Sequence, residues 1–325
     1  MTVDLASKVA FLRAPRVLDG VTEAIETHMS WVFLTEDRAF KLKKPVKLPY
    51  LDYSTLERRR ENCKQELLLG RRLAANVYLD IVPLVAGPRG LAIDGVGEIV
   101  DWLVVMRRLS ADRMLPQMLA RGAAAIADAE AVGDVLAGFY RGAICAPWDG
   151  TEYRHRLRNL VVSVAGELVA RGAPHMHVGP MVMAQLGTLE HEARALDRRI
   201  EDGRVVDAHG DLRPEHVCLE RPPVVIDPLE FDDELRTLDA TSELAFFALE
   251  CERIGAAWFA ERVVARYTER TGDQVPPALV ALYRSQHALT RALIALRHLD
   301  DVAAADQPRW RAKAEDYLAR AGPAR

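Results

Sequence analysis

The sequence predicts an α+β protein of two lobes, a small antiparallel-sheet lobe with one main helix and then a larger, mostly helical lobe. Three observations lead there. A strand pair, Ser30-Trp31-Val32-Phe33-Leu34 and Ala39-Phe40-Lys41-Leu42-Lys43, is joined by the turn Thr35-Glu36-Asp37-Arg38 and followed by helical text. From about Leu109 onward the chain becomes Ala-, Leu- and Arg-rich with helical spacing. Within that stretch, Val205-Val206 and Val224-Val225-Ile226 are short apolar strands on either side of the polar segment His209-Gly210-Asp211-Leu212-Arg213-Pro214-Glu215-His216.

Each element has a local reason. Alternation along the second strand places Lys41 and Lys43 on one face. The stretch from Pro45 to Tyr50 breaks the strand pattern, and Ser54-Thr55-Leu56-Glu57 is a capping box that opens a helix to about Ala75. Ile81–Val85 and Glu98–Met106, separated by glycine-containing turns, add strands that complete the small sheet. The boundary falls near 106–110, giving an N-terminal sheet lobe of residues 1–108 and a C-terminal helical lobe of residues 109–325. Helices are expected at about 124–143, 152–171, 180–201, 240–254, 256–271, 277–299 and 308–320.

Composition narrows the function classes. Of 325 residues 50% are hydrophobic and 28% charged, which suits a folded globular chain. A net charge of -4 argues against nucleic acid as a partner, since phosphate backbones are met by concentrated Lys and Arg. The run Arg58-Arg59-Arg60 is read as a solvated helix face. Cys63, Cys145, Cys218 and Cys251 are scattered without CxxC spacing, so reduced thiols in a cytoplasmic protein are expected. Neither a secretory leader at MTVDLASKVAFLRAP nor an apolar run of about 18 residues is seen, so no membrane partner is expected.

The candidate chemistry sits in two loops and a strand. Asp211 follows a His-Gly turn between apolar segments, where a carboxylate can accept a proton from a substrate hydroxyl. Asp227 closes Val224-Val225-Ile226, and a hairpin turning at Glu220-Arg221-Pro222-Pro223 would bring it to the same edge as Asp211. Asp227 is read as a Mg²⁺ ligand, with Glu230 or Asp232 as a second carboxylate. His216 stands where the pattern H-x-D-x-x-x-x-N places a metal-binding Asn, and either ligates the metal or bonds the loop or a phosphate. A base, metal carboxylates and a lysine are the three kinds of group that phosphoryl transfer requires.

HGDLRPEH and VVIDPLEFDDELRTLDATSELAF resemble the catalytic and metal loops of the aminoglycoside-phosphotransferase-like kinases, which share the protein-kinase fold. They are most similar to the bacterial branch often fused to a C-terminal P-loop kinase domain; ETHMSWVFLTEDRAFKLKKPVKLPYLDYSTLERRRENCKQELLLGRRL resembles that branch's small lobe, so the similarity covers most of the chain. The resemblance implies Mg²⁺-assisted transfer of the γ-phosphate of ATP or GTP to a hydroxyl of a small molecule such as a sugar, amino sugar or amino alcohol. It implies Lys41 as the phosphate-contacting lysine, Lys43 as its competitor one strand period away, Glu66 as the ion-pair partner and Met106 at the adenine-facing hinge. Asp211 and Arg213 become the catalytic pair, His216, Asp227 and Glu230 the metal set, and Asp239 a brace for the catalytic loop or the N-cap of the next helix.

Departures from the family pattern are also present. No G-x-G-x-x-G occurs, Thr22–Ser30 standing in its place, and Asp227 is followed by Pro228-Leu229 rather than Phe-Gly. No GxxxxGK[ST] occurs, so the fused P-loop domain is expected to be absent. Two alternatives use the same residues: a pseudokinase-type binding or regulatory module, and a metal-dependent hydrolase. The chain is expected as a monomer or homodimer.

Overall fold

The computed structural model describes residues 3–15, 17–18, 20–48, 51–173, 175–300 and 302–322. In chain order the elements begin with α1 (Leu5–Arg13), β1 (Glu23–Glu26), β2 (Ser30–Leu34), β3 (Arg38–Lys43), β4 (Lys47–Leu48), β5 (Leu51–Asp52) and α2 (Leu56–Ala74). Next come β6 (Tyr78–Gly87), β7 (Gly90–Ile93), β8 (Glu98–Arg107), α3 (Leu115–Ala120), α4 (Ile126–Gly142), α5 (Gly150–Ala170), α6 (His175–His191), α7 (Ala193–Glu201) and β9 (Val205–Asp207). The chain ends with β10 (Val217–Cys218), β11 (Val224–Val225), α8 (Asp233–Arg236), β12 (Thr237–Asp239), α9 (Ala240–Arg253), α10 (Ala257–Thr271), α11 (Pro277–Arg297) and α12 (Gln307–Arg320). Two compact units emerge, Met1–Val135 with His209–Arg236, and Leu136–Ala208 with Thr237–Arg325.

The first unit carries a six-stranded sheet in the order β1-β2-β3-β8-β6-β7, antiparallel throughout. The β2–β3 hairpin pairs Ser30 with Lys43 and Leu34 with Ala39, so Ala39, Lys41 and Lys43 share one face and Phe40 and Leu42 the other. Phe33, Leu42 and Leu103 are fully buried with Leu12 of α1, a helix the sequence did not announce. Each such side chain contributes roughly 1.5–3 kcal/mol by leaving water. On the lysine face, Ala39, Val104 and Met106 pack with Cys63 and Ala74 of α2.

Helix α2 is amphipathic in an unusual sense, because the line it buries, Arg59, Cys63, Glu66, Gly70 and Ala74, contains two charges. Arg59 is satisfied by Asp101, Nε donating at 2.8 Å, and Lys8 of α1 donates to the same carboxylate at 2.8 Å. The solvated-face reading therefore fails for Arg59, whose neighbour Asp101 is distant in sequence. The N-cap is Thr55, accepting from the Arg58 N–H, one residue beyond the expected Ser54. Asp52 explains the shift, since its Oδ1 takes both the N–H and the hydroxyl of Ser54. Of the break expected from Pro45 to Tyr50, Pro49 and Tyr50 lie outside the described residues.

The second unit is helical except for the ladder of β9 with β12, where Val205 pairs with Asp239 and Asp207 with Thr237. The stretch expected as one helix over 180–201 is two, α6 and α7, parted at Glu192. One core gathers Leu168, Leu249, Leu289, Leu293 and Tyr317, another Tyr153, Leu196, Leu279 and Tyr283. The polar centre is Arg199, whose Nε donates to Asp239 at 2.7 Å and whose Nη2 donates to Asp273 at 2.8 Å, all three side chains buried. No helix among the described residues is long and apolar enough to cross a membrane.

Candidate active site

The site begins with the lysine face of β3. Lys41 donates to Glu66 of α2 at 2.8 Å and to Asp227 at 2.6 Å. Lys43 donates to the other Glu66 oxygen at 2.7 Å and also binds Glu230. Glu66 thus bridges two ammoniums two residues apart, which the strand's period brings to the same side. The lysines differ in depth: the Lys43 side chain is 0% exposed and that of Lys41 13%. Burial alone would lower both ammoniums, but Asp227 and Glu66 beside Lys41, and Glu230 and Glu66 beside Lys43, raise them well above the ordinary lysine value.

The carboxylates respond in kind. The part of Asp227 that is buried would raise it, yet Lys41 first and Lys43 after it hold it far below the usual aspartate range. Glu230 is likewise lowered against its burial by Lys43 and Lys41. Both are therefore ionised, and three carboxylates face two ammoniums.

The segment 209–216 is pinned to the segment 226–229 by backbone and ring. Ile226 N–H donates to His216 O at 2.9 Å, Leu229 N–H donates to His209 O at 2.9 Å, and Val217–Cys218 pairs with Val224–Val225 in the hairpin between. His209 Nε2 lies 2.9 Å from Ile226 O, an acceptor only, so Nε2 carries the proton and Nδ1 accepts from the Asp211 N–H. Burial pushes His209 down to about 3, so the ring is neutral. Gly210 has φ +86°, and a Cβ there would stand 2.8 Å from Leu229 Cβ; only glycine allows the two segments to approach this closely.

Within that frame Arg213 Nε donates to Asp211 Oδ2 at 3.0 Å, while its Nη2 lies 3.1 Å from His216 Nε2. His216 Nδ1 faces Asp211 O at 2.9 Å, which fixes its proton on Nδ1 and leaves Nε2 to accept from Arg213. His216 Nε2 is 3.6 Å from Asp227 Oδ2, close by but not hydrogen-bonded to it. The structure thus brings together Lys41, Lys43, Glu66, Asp227 and Glu230, with Asp211, Arg213 and His216 alongside. The Met106 side chain stands apart, buried in β8 among Ala39, Val77 and Tyr78. Asp239 N-caps α9, accepting from the Thr241 N–H, and binds Arg199 and Tyr283 within the second unit.

Two tyrosines escaped the sequence reading. Tyr53 Oη donates to Glu230 at 2.5 Å, and Tyr78 Oη accepts the Asp227 N–H at 2.8 Å. Neither sits in a motif; the one local signal is Gly70 inside the buried face of α2, where a glycine marks close approach by another group.

The donor set suits Mg²⁺ shared with a polyphosphate. Asp227 offers a carboxylate with 46% of its side chain exposed, and the excess of carboxylates over ammoniums attracts a cation. Among the described residues no three His, Cys, Asp or Glu side chains form a metal cage. Mg²⁺ in such sites needs only one or two protein carboxylates.

No family model matches the chain. The uncharacterized protein Rv2004c of Mycobacterium tuberculosis is 32% identical over 286 residues, 83% of this chain and 53% of that protein. This chain therefore spans about half the length of the curated relatives it matches. Among solved structures, a choline/ethanolamine kinase family protein from Mesorhizobium loti covers 98% of this chain and 94% of its own, with TM-score 0.55 and 17% identity. A thermostable mutant of aminoglycoside phosphotransferase APH(4)-Ia, in ternary complex with AMP-PNP and hygromycin B, covers 99% of this chain and 100% of its own, with TM-score 0.51 and 11% identity. The small antiparallel sheet with α2, the mostly helical remainder and these neighbours together give the chain the protein-kinase-like fold of the aminoglycoside phosphotransferases and choline/ethanolamine kinases.

Proposed function

We propose that this chain transfers the γ-phosphate of ATP or GTP to a hydroxyl of a small molecule, a sugar, amino sugar or amino alcohol. The observation that carries the reading is the Lys41 ammonium shared between Glu66 and Asp227, beside a loop tied by backbone bonds to the one that presents Asp211. The AMP-PNP and hygromycin B complex of a protein with this fold supports it.

In this reading Lys41, the more exposed lysine, exchanges its bond to Asp227 for phosphate oxygens while Glu66 holds its Nζ in place. Lys43 and Glu230 form the sealed layer beneath, so Glu230 serves as counter-ion rather than metal ligand. Asp227 would hold Mg²⁺, which would supply neutralisation of charge on the transferred group. Asp211 receives the acceptor's hydroxyl proton, its Oδ2 oriented by Arg213. His216, whose Nε2 faces Arg213, orients that guanidinium.

The test is a nucleotide-dependent screen of sugars, amino sugars and amino alcohols, read by the gain of one phosphoryl group in product mass, with Asp211→Asn as control. A phosphorylated product formed by the wild type and not by the variant is expected. Product formed equally by both overturns the base assignment, and product formed without nucleotide overturns the kinase reading.

A further inference from the structure

We propose that Tyr78 is a positioning residue that sets the backbone of Asp227, and that Gly70 is the residue that admits it. The inference rests on the reading of Asp227 as the Mg²⁺ carboxylate.

Asp227 is one of two non-glycine residues with positive φ among those described, at +61°. Aspartate enters the left-handed region more readily than most residues, but it does so at a cost and needs its surroundings to hold it there. The hairpin holds the residue before it, since Ile226 N–H donates to His216 O. The Asp227 N–H points elsewhere, to the Tyr78 hydroxyl at 2.8 Å. That bond fixes the peptide entering Asp227 and hence the direction from which its carboxylate leaves the chain.

Tyr78 reaches this place by a route built in two steps. It is the first residue of β6, 1% exposed, and pairs in register with Met106 of β8. Its ring lies across α2 at Gly70, where a Cβ would stand 2.4 Å from ring atom Cε2. Any larger residue at Gly70 would displace the ring. Gly70 lies one turn after Glu66, so the helix that orients Lys41 also makes room for the hydroxyl that orients Asp227. Burial and the nearby Glu66 and Asp227 carboxylates push the phenol well above its ordinary value, so it stays protonated and neutral beside the carboxylate.

A neutral hydrogen bond of this kind is worth roughly two- to tenfold in an equilibrium constant. Binding of a fluorescent ATP analogue to the full chain is measured in EDTA and across a Mg²⁺ titration, for the wild type, Tyr78→Phe and Asp227→Ala. Tyr78→Phe keeps the ring in the core; its Mg²⁺ midpoint is expected to rise by about two- to tenfold, with affinity in EDTA and the thermal midpoint little changed. An unmoved Mg²⁺ midpoint, while Asp227→Ala loses the metal dependence, overturns the role of Tyr78 and leaves the metal reading standing. Metal dependence that survives Asp227→Ala removes the metal reading and this proposal together. A check free of any variant is amide exchange in the wild type, where the Asp227 amide is expected to be protected without metal. Exchange at the unprotected rate would refute the bond directly.

Discussion

Replacing Lys43 by methionine removes an ammonium from between two buried carboxylates, and the structure says which one suffers. Glu66 keeps Lys41 at 2.8 Å, but Glu230, 8% exposed in its side chain, is left with the Tyr53 hydroxyl. Stripping one partner from a buried pair costs about 3–5 kcal/mol. For a unit of this size that corresponds to a fall of about 6–20 °C in the unfolding midpoint. The sign of the pH dependence follows from Glu230. In the wild type its folded value is depressed, so it contributes stability above the ordinary glutamate value that is lost as pH falls. Without Lys43 burial dominates and raises the folded value, so the deficit of the variant grows from pH 5 to pH 8. Removing the stranded charge as well, in Lys43→Met with Glu230→Leu, should restore most of the loss. Lys41→Met should behave differently: Glu66 retains Lys43 and Asp227 is half-exposed, so stability changes by about 1 kcal/mol, while nucleotide affinity falls about ten- to a hundredfold through a lost charge-assisted bond. Denaturant unfolding at both pH values, beside nucleotide titration, separates these effects. If Lys43→Met unfolds like the wild type at pH 8 while Lys41→Met loses the stability, the assignment of depth and role is reversed.

Three further outcomes follow from the same geometry. Asp211→Asn should lower turnover by about 10²–10⁴ and leave nucleotide affinity nearly unchanged, as read by rapid quench and fluorescence titration; a parallel loss of affinity would mean that Asp211 binds rather than reacts. Gly210→Ala, forced to φ +86° against Leu229, should cost about 1–3 kcal/mol in denaturant unfolding, and a variant as stable as the wild type would contradict the close approach of the two loops. His209, neutral in the fold with its value pushed down to about 3, takes up a proton on unfolding below its ordinary value. Its contribution to stability is therefore present above about pH 6.5 and falls by about 2 kcal/mol by pH 5, a slope that His209→Asn should flatten in pH-dependent denaturation.

Much of the local structure was legible because its causes are local. The β2 strand, the pairing that aligns Lys41 with Lys43, and the run of helices after Leu109 follow from periodicity and turn residues. Glu66 was found through the likeness of its helix to a known family, and the structure sets it on both lysines. The choice between those lysines was not legible, since they occupy the same face and differ only in depth. That difference is made by Tyr53 and Glu230, 10 and 187 positions away from Lys43. Helix α1 was missed for the same reason: its anchor is Lys8, which bonds Asp101 and the Val100 carbonyl from 92 or more residues away. Arg59 shows the converse error, a basic run that reads as surface until the buried Asp101 is known.

The cross-tie between the two loops has a consequence for how such a chain tolerates change in length. Asp211 and Asp227 are sixteen residues apart, yet their separation in space is set by Ile226 N–H on His216 O and Leu229 N–H on His209 O, not by the chain that runs between. At the far end, Glu220 is clamped by Arg107 through two bonds of 2.9 and 2.7 Å, which leaves exposed Arg221 and Pro222 as the slack in the loop. Residues inserted at that tip lengthen the connection and leave both carboxylates where they stand. One residue inserted between Val224 and Asp227 would instead slip the hairpin by one position and exchange its two faces.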